Sequence, residues 1–316
     1  MIRVNDFPNR AVTMGYRSLV ATVLLLAAVL AGCGPMPENE NPVQACADTG
    51  EKPWMQSGGA WSLGGRLEFY ESNNSVLRTA TESTAMIMKK GDLESAKKSG
   101  HLQLSKDAKR RTCCAKNEVC RPYGGQAAMG RCTGFLVAED TLVTAGHCVD
   151  RLGCDAIRAM FGIYKEDDGD AVMPVAEQNV FACKKVLEQE FTALSDYAVI
   201  QLDRKVKNQK PLPVRETSEA MKDESVGLVG GPGGVPLKLS GAGKVRPIEP
   251  SEAFFVEGWE AVTGDSGAPV LNLMTGKVEG VYIGVNEQTG LSTVTRIGCF
   301  RATIPGYTNS ATCNES

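Results

Sequence analysis

The chain has 316 residues, of which 42% are hydrophobic and 22% are charged, values typical of a soluble globular protein with a large core. Its formal net charge of −3 does not favour nucleic acid as a partner, and its only two histidines, His101 and His147, exclude a histidine-rich metal site. Eleven cysteines without zinc-finger spacing indicate disulfides and therefore an oxidising compartment.

The N-terminus has the pattern of a secretion signal. Three arginines precede an apolar run over residues 19–31, which is shorter than the ~20 residues of a membrane span. The run ends in Leu30-Ala-Gly-Cys33, which resembles the bacterial lipobox, in which the cysteine is lipidated. We therefore predict a lipoprotein signal peptide over residues 1–32 and a lipid anchor at Cys33 in the bacterial cell envelope. Gly34 favours the outer membrane, and an ordinary signal peptide is the alternative.

The next segments give weaker patterns. Residues 33–60, polar and proline-rich at their start, predict a tether. Residues 61–120 are interpreted as an accessory region or a prosegment, with strand fragments at 66–70 and 75–78 and a helical turn at 93–99.

A basic run, Lys-Asp-Ala-Lys-Arg-Arg, occupies residues 106–111. It predicts a solvated loop or, alternatively, a processing site.

From Arg131 onward, short apolar strands alternate with turns, which predicts an all-β fold. Residues 135–138 and 141–144 form a predicted hairpin that leads to His147. Asp196 begins a strand in which alternate residues share an apolar face, and a carboxylate there needs a partner such as an imidazole N–H. A turn hydrogen bond at the start of the strand is the alternative for Asp196.

The polar, proline-bearing residues 205–213 predict a connection between two groups of strands. The second group is expected at 226–229, 237–239, 253–256, 268–273 and 277–285.

The stretch Gly264-Asp-Ser-Gly-Ala-Pro269 leads into the strand expected at 268–273. A serine between glycines can sit on a tight turn with its hydroxyl exposed, and the N–H groups of Gly264 and Ser266 could then bind an oxyanion. Taken alone, the string is equally compatible with a glycine-rich structural turn.

Together these motifs place His147, Asp196 and Ser266 in the order found in chymotrypsin-like serine peptidases. Thr-Ala-Gly-His-Cys148 and Gly-Asp-Ser-Gly-Ala-Pro269 resemble the histidine and serine motifs of that family. The resemblance covers residues 121–316 and is closest to bacterial glutamyl-endopeptidase-like members, whose sequences are similar over 226–239.

The resemblance implies an all-β fold of two antiparallel β-barrels of chymotrypsin type, preceded by the tether and accessory region. It implies a catalytic triad of His147, Asp196 and Ser266, with an oxyanion hole at Gly264 and Ser266. Expected partners are protein or peptide substrates, and no metal or other cofactor is required. We expect a monomer. The rival hypothesis is a non-catalytic envelope lipoprotein that uses the same fold as a binding scaffold.

The specificity pocket is expected from two positions of the family pattern. Glu260, six residues before Ser266, corresponds to the base of the pocket and would favour Lys or Arg in the substrate; on a reshaped loop it would instead point to solvent. Tyr282 stands where glutamyl endopeptidases carry a histidine, which argues against cleavage after Glu. Val285 is expected to narrow the pocket edge.

The resemblance also implies a disulfide between Cys132 and Cys148. Eight other cysteines then remain beside Cys33, and they allow 105 connectivities. Proximity in the sequence favours Cys154–Cys183 and Cys299–Cys313, and Cys46 could tie the accessory region to the barrel.

Overall fold

The computed structural model describes residues 66–111, 126, 128–169, 172–192, 195–216, 220–247, 253–259, 261–286 and 289–307. Three α-helices lie within them: α1 (Ser75–Glu82), α2 (Lys106–Arg111) and α3 (Gly146–Leu152). The strands within them are β1 (Arg66–Leu67), β2 (Thr84–Lys89), β3 (Leu93–Ser95), β4 (His101–Leu104), β5 (Cys132–Ala138), β6 (Thr141–Thr144), β7 (Ile157–Met160), β8 (Val175–Ala176), β9 (Val180–Phe191), β10 (Asp196–Leu202), β11 (Ser225–Gly230), β12 (Lys238–Pro247), β13 (Ala253–Glu257), β14 (Pro269–Asn272), β15 (Val278–Val285) and β16 (Ser292–Arg296).

The first barrel is a closed antiparallel sheet with the strand order β10-β6-β5-β2-β7-β9. On its strands Phe135, Leu142 and Val199 are each fully buried. The predicted hairpin is confirmed as β5 and β6, with Phe135 opposite Val143. A small sheet of β3, β4 and β8 accompanies this barrel.

The second barrel has the strand order β12-β11-β14-β15-β16-β13 and closes where β13 pairs with β12. Its interior contains Val226, Phe254 and Tyr282. β1 pairs with the part of β12 that precedes the β13 pairing, with Arg66 opposite Ser240. The two closed barrels confirm the predicted all-β fold of chymotrypsin type.

The boundary predicted at residue 121 needs correction. β2 is a central strand of the first barrel, paired with β5 and β7. The region 61–120 is therefore not a separate layer in front of the barrel. The strand was not predicted because its sequence, Thr-Ala-Met-Ile-Met-Lys, contains an unbroken apolar run rather than an alternation, as expected of a strand with both faces buried.

Two local predictions in the same region are wrong. Residues 75–78, predicted as a strand fragment, begin α1, because Asn74 caps the helix by accepting a hydrogen bond from the Leu77 N–H at 3.1 Å. The predicted helical turn at 93–99 is instead β3, which pairs with β4 around a turn at Gly100. In both cases a local contact decided between conformations that the residues themselves tolerate.

The basic run 106–111, predicted as a loop, forms the short helix α2. No helix among the described residues has the length and apolar character needed to cross a membrane.

Two disulfides join Cys132 to Cys148 and Cys154 to Cys183, the pairings expected from the sequence. Cys299 is also disulfide-bonded. The predicted signal peptide, lipidated Cys33 and tether lie outside the described residues, as do Cys46, Cys113, Cys114, Cys120 and Cys313.

Candidate active site

His147 is the second residue of α3 and follows β6 after a two-residue connection. A Cβ atom at the preceding Gly146 would lie 1.9 Å from the carbonyl oxygen of Glu190 and 2.8 Å from that of Tyr197. Glycine therefore allows the start of α3 to lie directly against β9 and β10. His147 is consequently buried, with 7% of its surface exposed.

Asp196, the first residue of β10, binds His147 through both carboxylate oxygens. Oδ2 lies 2.6 Å from Nδ1 of the imidazole, and Oδ1 accepts the backbone N–H of His147 at 2.9 Å. The two side chains are only 8% and 5% exposed. The backbone N–H of Asp196 donates to Thr295 Oγ1 on β16, which joins this pair to the second barrel. Because Nδ1 faces the carboxylate, Nε2 lies on the opposite edge of the ring.

Ser266 is partly exposed on the turn formed by residues 262–267, called here the nucleophile turn. Its carbonyl oxygen accepts the Thr133 N–H at 2.8 Å and lies 3.8 Å from Sγ of Cys148, the neighbour of His147. A Cβ atom at Gly267 would lie 2.8 Å from the backbone nitrogen of Ala145. The turn that carries Ser266 is thus packed against the residues on both sides of His147.

Two backbone N–H groups of the nucleophile turn are available for binding. In the part of the chain that the structure describes, the N–H groups of Gly264 and Ser266 donate to no acceptor, whereas those of Asp265 and Gly267 bond to Val262 and Tyr282 carbonyl oxygens. Gly264 has φ of 102°, and a Cβ atom there would lie 2.3 Å from the Gly231 carbonyl oxygen. This close approach favours glycine at the position.

The carboxylate of Asp265, next to Ser266, is completely buried and pairs with Arg66. Arg66 Nη1 donates to Oδ1 at 3.0 Å and Nη2 to Oδ2 at 2.6 Å. Such a two-pronged pair is the geometry in which a buried guanidinium and carboxylate bind most strongly.

Among the described residues, one group of potential metal ligands, Cys132, His147 and Cys148, has its ligand atoms within 4.8 Å of one another. The two sulfurs are bonded to each other, so the oxidised protein offers no thiolate here. Nδ1 of His147 is occupied by Asp196. The group is a disulfide beside an imidazole.

Of the three residues predicted to form the specificity pocket, the structure describes Tyr282 and Val285. Glu260 lies outside the described residues. The backbone of Tyr282 is beside the nucleophile turn, since its carbonyl oxygen accepts the Gly267 N–H at 2.8 Å, and its ring is buried within the second barrel. Burial raises the pKa of the Tyr282 hydroxyl, and the nearby Asp265 raises it further. Val285 is half-buried at the end of β15.

Three residues that contact the site were not predicted from the sequence. Arg66 pairs with Asp265, Thr295 holds the backbone of Asp196, and the ring of Phe191 lies 5.9 Å from the His147 ring while 53% exposed. The sequence offered one indication of such a residue: Asp265, if buried with its turn, needs a cation as its partner. Nothing in the sequence indicates which cation it is.

Comparisons with known proteins agree with the fold and the motifs. Residues 132–281 match the family model of the trypsin-like peptidase domain. A stretch of 85 residues, 26% of this chain, is 33% identical to the serine proteinase stubble of Drosophila melanogaster and spans 10% of that protein.

Among solved structures, human heparin binding protein is similar, with a TM-score of 0.52 and 15% identity over 80% of this chain and 99% of that one. The VesB protease of Vibrio cholerae has a TM-score of 0.48 and 15% identity, covering 70% of this chain and 62% of that one. This chain therefore spans less than two thirds of VesB and a small part of stubble. At such identities the structural likeness is one of fold.

Proposed function

We propose that this chain, whose residues 132–281 match the trypsin-like peptidase domain, is a serine endopeptidase that hydrolyses protein or peptide substrates through an acyl-enzyme. The observation that carries the proposal is the buried pair of His147 and Asp196, packed against a turn that presents Ser266. An ordered imidazole beside a partly exposed serine is the arrangement that activates a hydroxyl for attack.

In the proposed mechanism Ser266 Oγ attacks the substrate carbonyl carbon while Nε2 of His147 accepts the hydroxyl proton. Asp196 holds the proton of Nδ1 in place and stabilises the imidazolium that forms. The N–H groups of Gly264 and Ser266 stabilise the negative oxygen of the tetrahedral intermediate. His147 then donates its proton to the leaving amine, and water releases the acyl group by the reverse sequence. These residues carry out every step without a metal or other cofactor.

The direct test is labelling with a fluorophosphonate, which reacts with an activated serine. The matured protein is expected to form one adduct on Ser266, and Ser266→Ala is expected to form none. Ser266→Ala should also lower kcat on the order of 10⁶-fold. A wild-type protein that is folded yet neither labels nor cleaves would refute the proposal and favour the rival binding scaffold.

For specificity we propose cleavage after Lys or Arg rather than after Glu. The support is the carboxylate of Glu260, together with Tyr282 at the position of the family's pocket histidine. A carboxylate in a partly desolvated pocket would bind a basic side chain through a charge-assisted pair. A peptide-library digest tests this, and dominant cleavage after Glu would contradict it.

For location we propose that Cys33 anchors a monomer to the bacterial envelope, with the outer membrane favoured. The support is the lipobox-like Leu30-Ala-Gly-Cys33. Wild-type protein should partition into the detergent phase and Cys33→Ser should not. Wild-type protein in the aqueous phase would contradict the anchor without affecting the proposed chemistry.

A further inference from the structure

Thr133, the second residue of β5, is completely buried against the nucleophile turn. Its hydroxyl donates to the carbonyl oxygen of Gly264 at 2.9 Å and accepts the backbone N–H of Gly231 at 3.1 Å. The direction of both bonds is fixed, because a carbonyl oxygen can only accept and an amide N–H can only donate. One hydroxyl of the first barrel thus joins the nucleophile turn to the loop of residues 231–234.

That loop holds the peptide unit that contains the Gly264 N–H. The backbone N–H of Gly233 donates to the Thr263 carbonyl oxygen at 2.6 Å. The C=O and the N–H of a trans peptide unit point in opposite directions. The bond at Thr263 therefore turns the Gly264 N–H away from the loop, where it donates to no acceptor among the described residues and is available to a substrate oxygen.

Gly264 needs such restraint because it has no side chain that could hold it. Glycine has the widest choice of backbone conformations, and Gly264 adopts a φ of 102° that lies in the region favoured by glycine alone. The carbonyl oxygen before it is held by Gly233 and its own carbonyl oxygen by Thr133. Fixing the peptide units on both sides of Gly264 fixes its conformation and hence the direction of its N–H.

The other candidate oxyanion donor, the Ser266 N–H, is held in a different way. The carbonyl oxygen of its peptide unit belongs to Asp265 and accepts the Ala268 N–H at 2.8 Å, two residues after Ser266. This bond is local to the turn. Of the two donors, the one at Gly264 therefore depends on the first barrel through the hydroxyl of Thr133.

Thr133 is itself firmly held. Its backbone N–H donates to the Ser266 carbonyl oxygen at 2.8 Å, and its carbonyl oxygen accepts the hydroxyl of Thr144 at 2.7 Å. Its β-branched side chain has few rotamers on a strand. The preceding residue, Cys132, is bonded to Cys148 on α3. The same end of β5 thus contacts both the helix that carries the histidine and the turn that carries the serine.

On the basis of the proposed peptidase function, we propose that Thr133 is a positioning residue whose hydroxyl holds Gly264 so that its N–H points at the oxyanion of the tetrahedral intermediate. Thr133 is 0% exposed, so it acts through Gly264 and does not touch the substrate. Loss of the hydroxyl should therefore weaken binding of the transition state much more than binding of the substrate.

The test uses the full-length matured protein with Thr133→Val, Thr133→Ala and Thr133→Ser. Valine keeps the branched shape without the hydroxyl, and serine keeps the hydroxyl without the methyl group. Thr84→Val is the matched control, because Thr84 is also 0% exposed in the first barrel and its hydroxyl donates to a backbone carbonyl oxygen, that of Ala80, at 2.8 Å.

Each protein is assayed for kcat and KM and for inhibition by a peptide aldehyde, whose adduct with the serine places an oxygen in the oxyanion site. Amide hydrogen exchange is measured in residues 231–234 and 262–268. Urea unfolding shows that each variant is folded under the conditions of the assay.

Thr133→Val and Thr133→Ala should lower kcat about 10- to 100-fold, with KM within about threefold of wild type. The loss is smaller than for a missing oxyanion donor, because the Gly264 N–H is still present but less well aimed. The inhibition constant of the aldehyde should rise in proportion to the loss of kcat/KM, and exchange in both segments should accelerate. Thr133→Ser and Thr84→Val should stay within about threefold of wild type.

Thr133→Val with near wild-type kcat would overturn the proposal. So would an equal loss in Thr84→Val or in Thr133→Ser, since neither removes the hydroxyl beside Gly264. A loss of kcat without weaker aldehyde inhibition would place the effect outside the oxyanion site and overturn it as well. If neither Thr133→Val nor Thr133→Ala folds, the hydroxyl serves the fold as a whole and the positioning role is overturned.

A double variant tests whether Thr133 acts through Gly264. Thr133→Val/Gly264→Ala should lose little more kcat than Gly264→Ala alone, because both changes affect the same donor. Losses that multiply would show that Thr133 acts elsewhere and would overturn the proposal.

Failure of the proposed function is recognised separately, by wild-type protein that neither cleaves nor labels with the fluorophosphonate. Hydrogen exchange then tests Thr133 by itself. Faster exchange in Thr133→Val within residues 231–234 and 262–268, absent from Thr84→Val, supports the hold on Gly264. Unchanged exchange in Thr133→Val overturns it.

Discussion

The residues around His147 and the residues around Ser266 are held in place in different ways. Residues 145–148 are fixed by neighbours in the same barrel: the disulfide from Cys132 to Cys148 and the two bonds from Asp196. The nucleophile turn is fixed by an ion pair whose partners are 199 residues apart in the sequence. The first arrangement is nearly all visible as motifs, whereas the second depends on the folded topology.

This difference has a consequence for how the two parts fail. A covalent link and a carboxylate–imidazole pair hold the histidine once the first barrel has formed. The turn requires in addition that the N-terminal segment is docked on the second barrel. Substitutions around residues 145–148, called here the histidine side, and around the nucleophile turn, called here the nucleophile side, should therefore have separable effects. Four predictions test this, in order from the largest expected effect to the smallest.

The largest effect is expected on the histidine side. Asp196→Asn should lower kcat on the order of 10⁴-fold, because an amide favours the wrong tautomer of His147. Exchange in the nucleophile turn should be unchanged, since Asp196 does not contact residues 262–267 through any hydrogen bond among the described residues. Kinetics and hydrogen exchange on one sample check both parts. A variant that keeps near wild-type kcat would remove Asp196 from the mechanism.

The next effect is on the nucleophile side. Gly264→Ala should lower kcat about 100- to 1,000-fold, because the added Cβ would lie 2.3 Å from a backbone oxygen and must displace an oxyanion donor. Gly276→Ala is the control: it also has positive φ, but its nearest neighbour is 3.9 Å away on a side chain. If both variants lose stability equally and neither loses kcat, the N–H of Gly264 is not a donor.

The histidine side was largely predictable because its features are local. His147 and Cys148 are adjacent, Asp196 stands out as a charge on an apolar face, and the hairpin of β5 and β6 has a clear strand pattern. The glycines around Ser266 were also visible. These patterns carried the family resemblance, which implied the barrel fold and the candidate triad.

The ion pair of the nucleophile turn and two elements of the fold could not be predicted from the sequence, and the reasons are physical. An ion pair such as Arg66 with Asp265 leaves no local pattern, since many arginines could serve equally well in the sequence. α1 was misassigned because its Val and Thr residues tolerate a strand, and the cap at Asn74 decided otherwise. β2 was hidden because a strand buried on both faces does not alternate.

A smaller effect should separate stability from catalysis. Removing Cys132–Cys148 with Cys132→Ala/Cys148→Ala should cost about 3 kcal/mol of unfolding free energy, in the usual range for a loop of this length. It should also lower kcat, since Cys148 is next to His147. The control is Cys154→Ala/Cys183→Ala, which removes the other disulfide at a comparable cost in stability with kcat retained. Urea unfolding and kinetics measure both, and equal kcat in the two variants would contradict the local role.

The smallest effect concerns the second charge pair that docks the N-terminal segment. Burial lowers the pKa of Lys238 to about 8, against the opposing attraction of Glu68. Because this native pKa is below the unfolded value, the native state releases the proton first, and from about pH 8 to 10 the unfolded chain binds more protons. The unfolding free energy should therefore rise with pH across this window, by roughly 2 kcal/mol from this group.

The reference is Lys238→Met/Glu68→Gln, which lacks both charges while keeping the other titrating groups. Urea unfolding of the two proteins at pH 7, 8, 9 and 10 gives the difference directly, because contributions from tyrosines cancel between them. Parallel pH profiles would show that Lys238 is not neutralised in the native state at these pH values. A rising difference would show that the anchor beside Arg66 is held at pH 7 despite the cost of burying a charged lysine. On the histidine side, by contrast, the covalent bond between Cys132 and Cys148 contributes to the anchoring beside the buried carboxylate of Asp196.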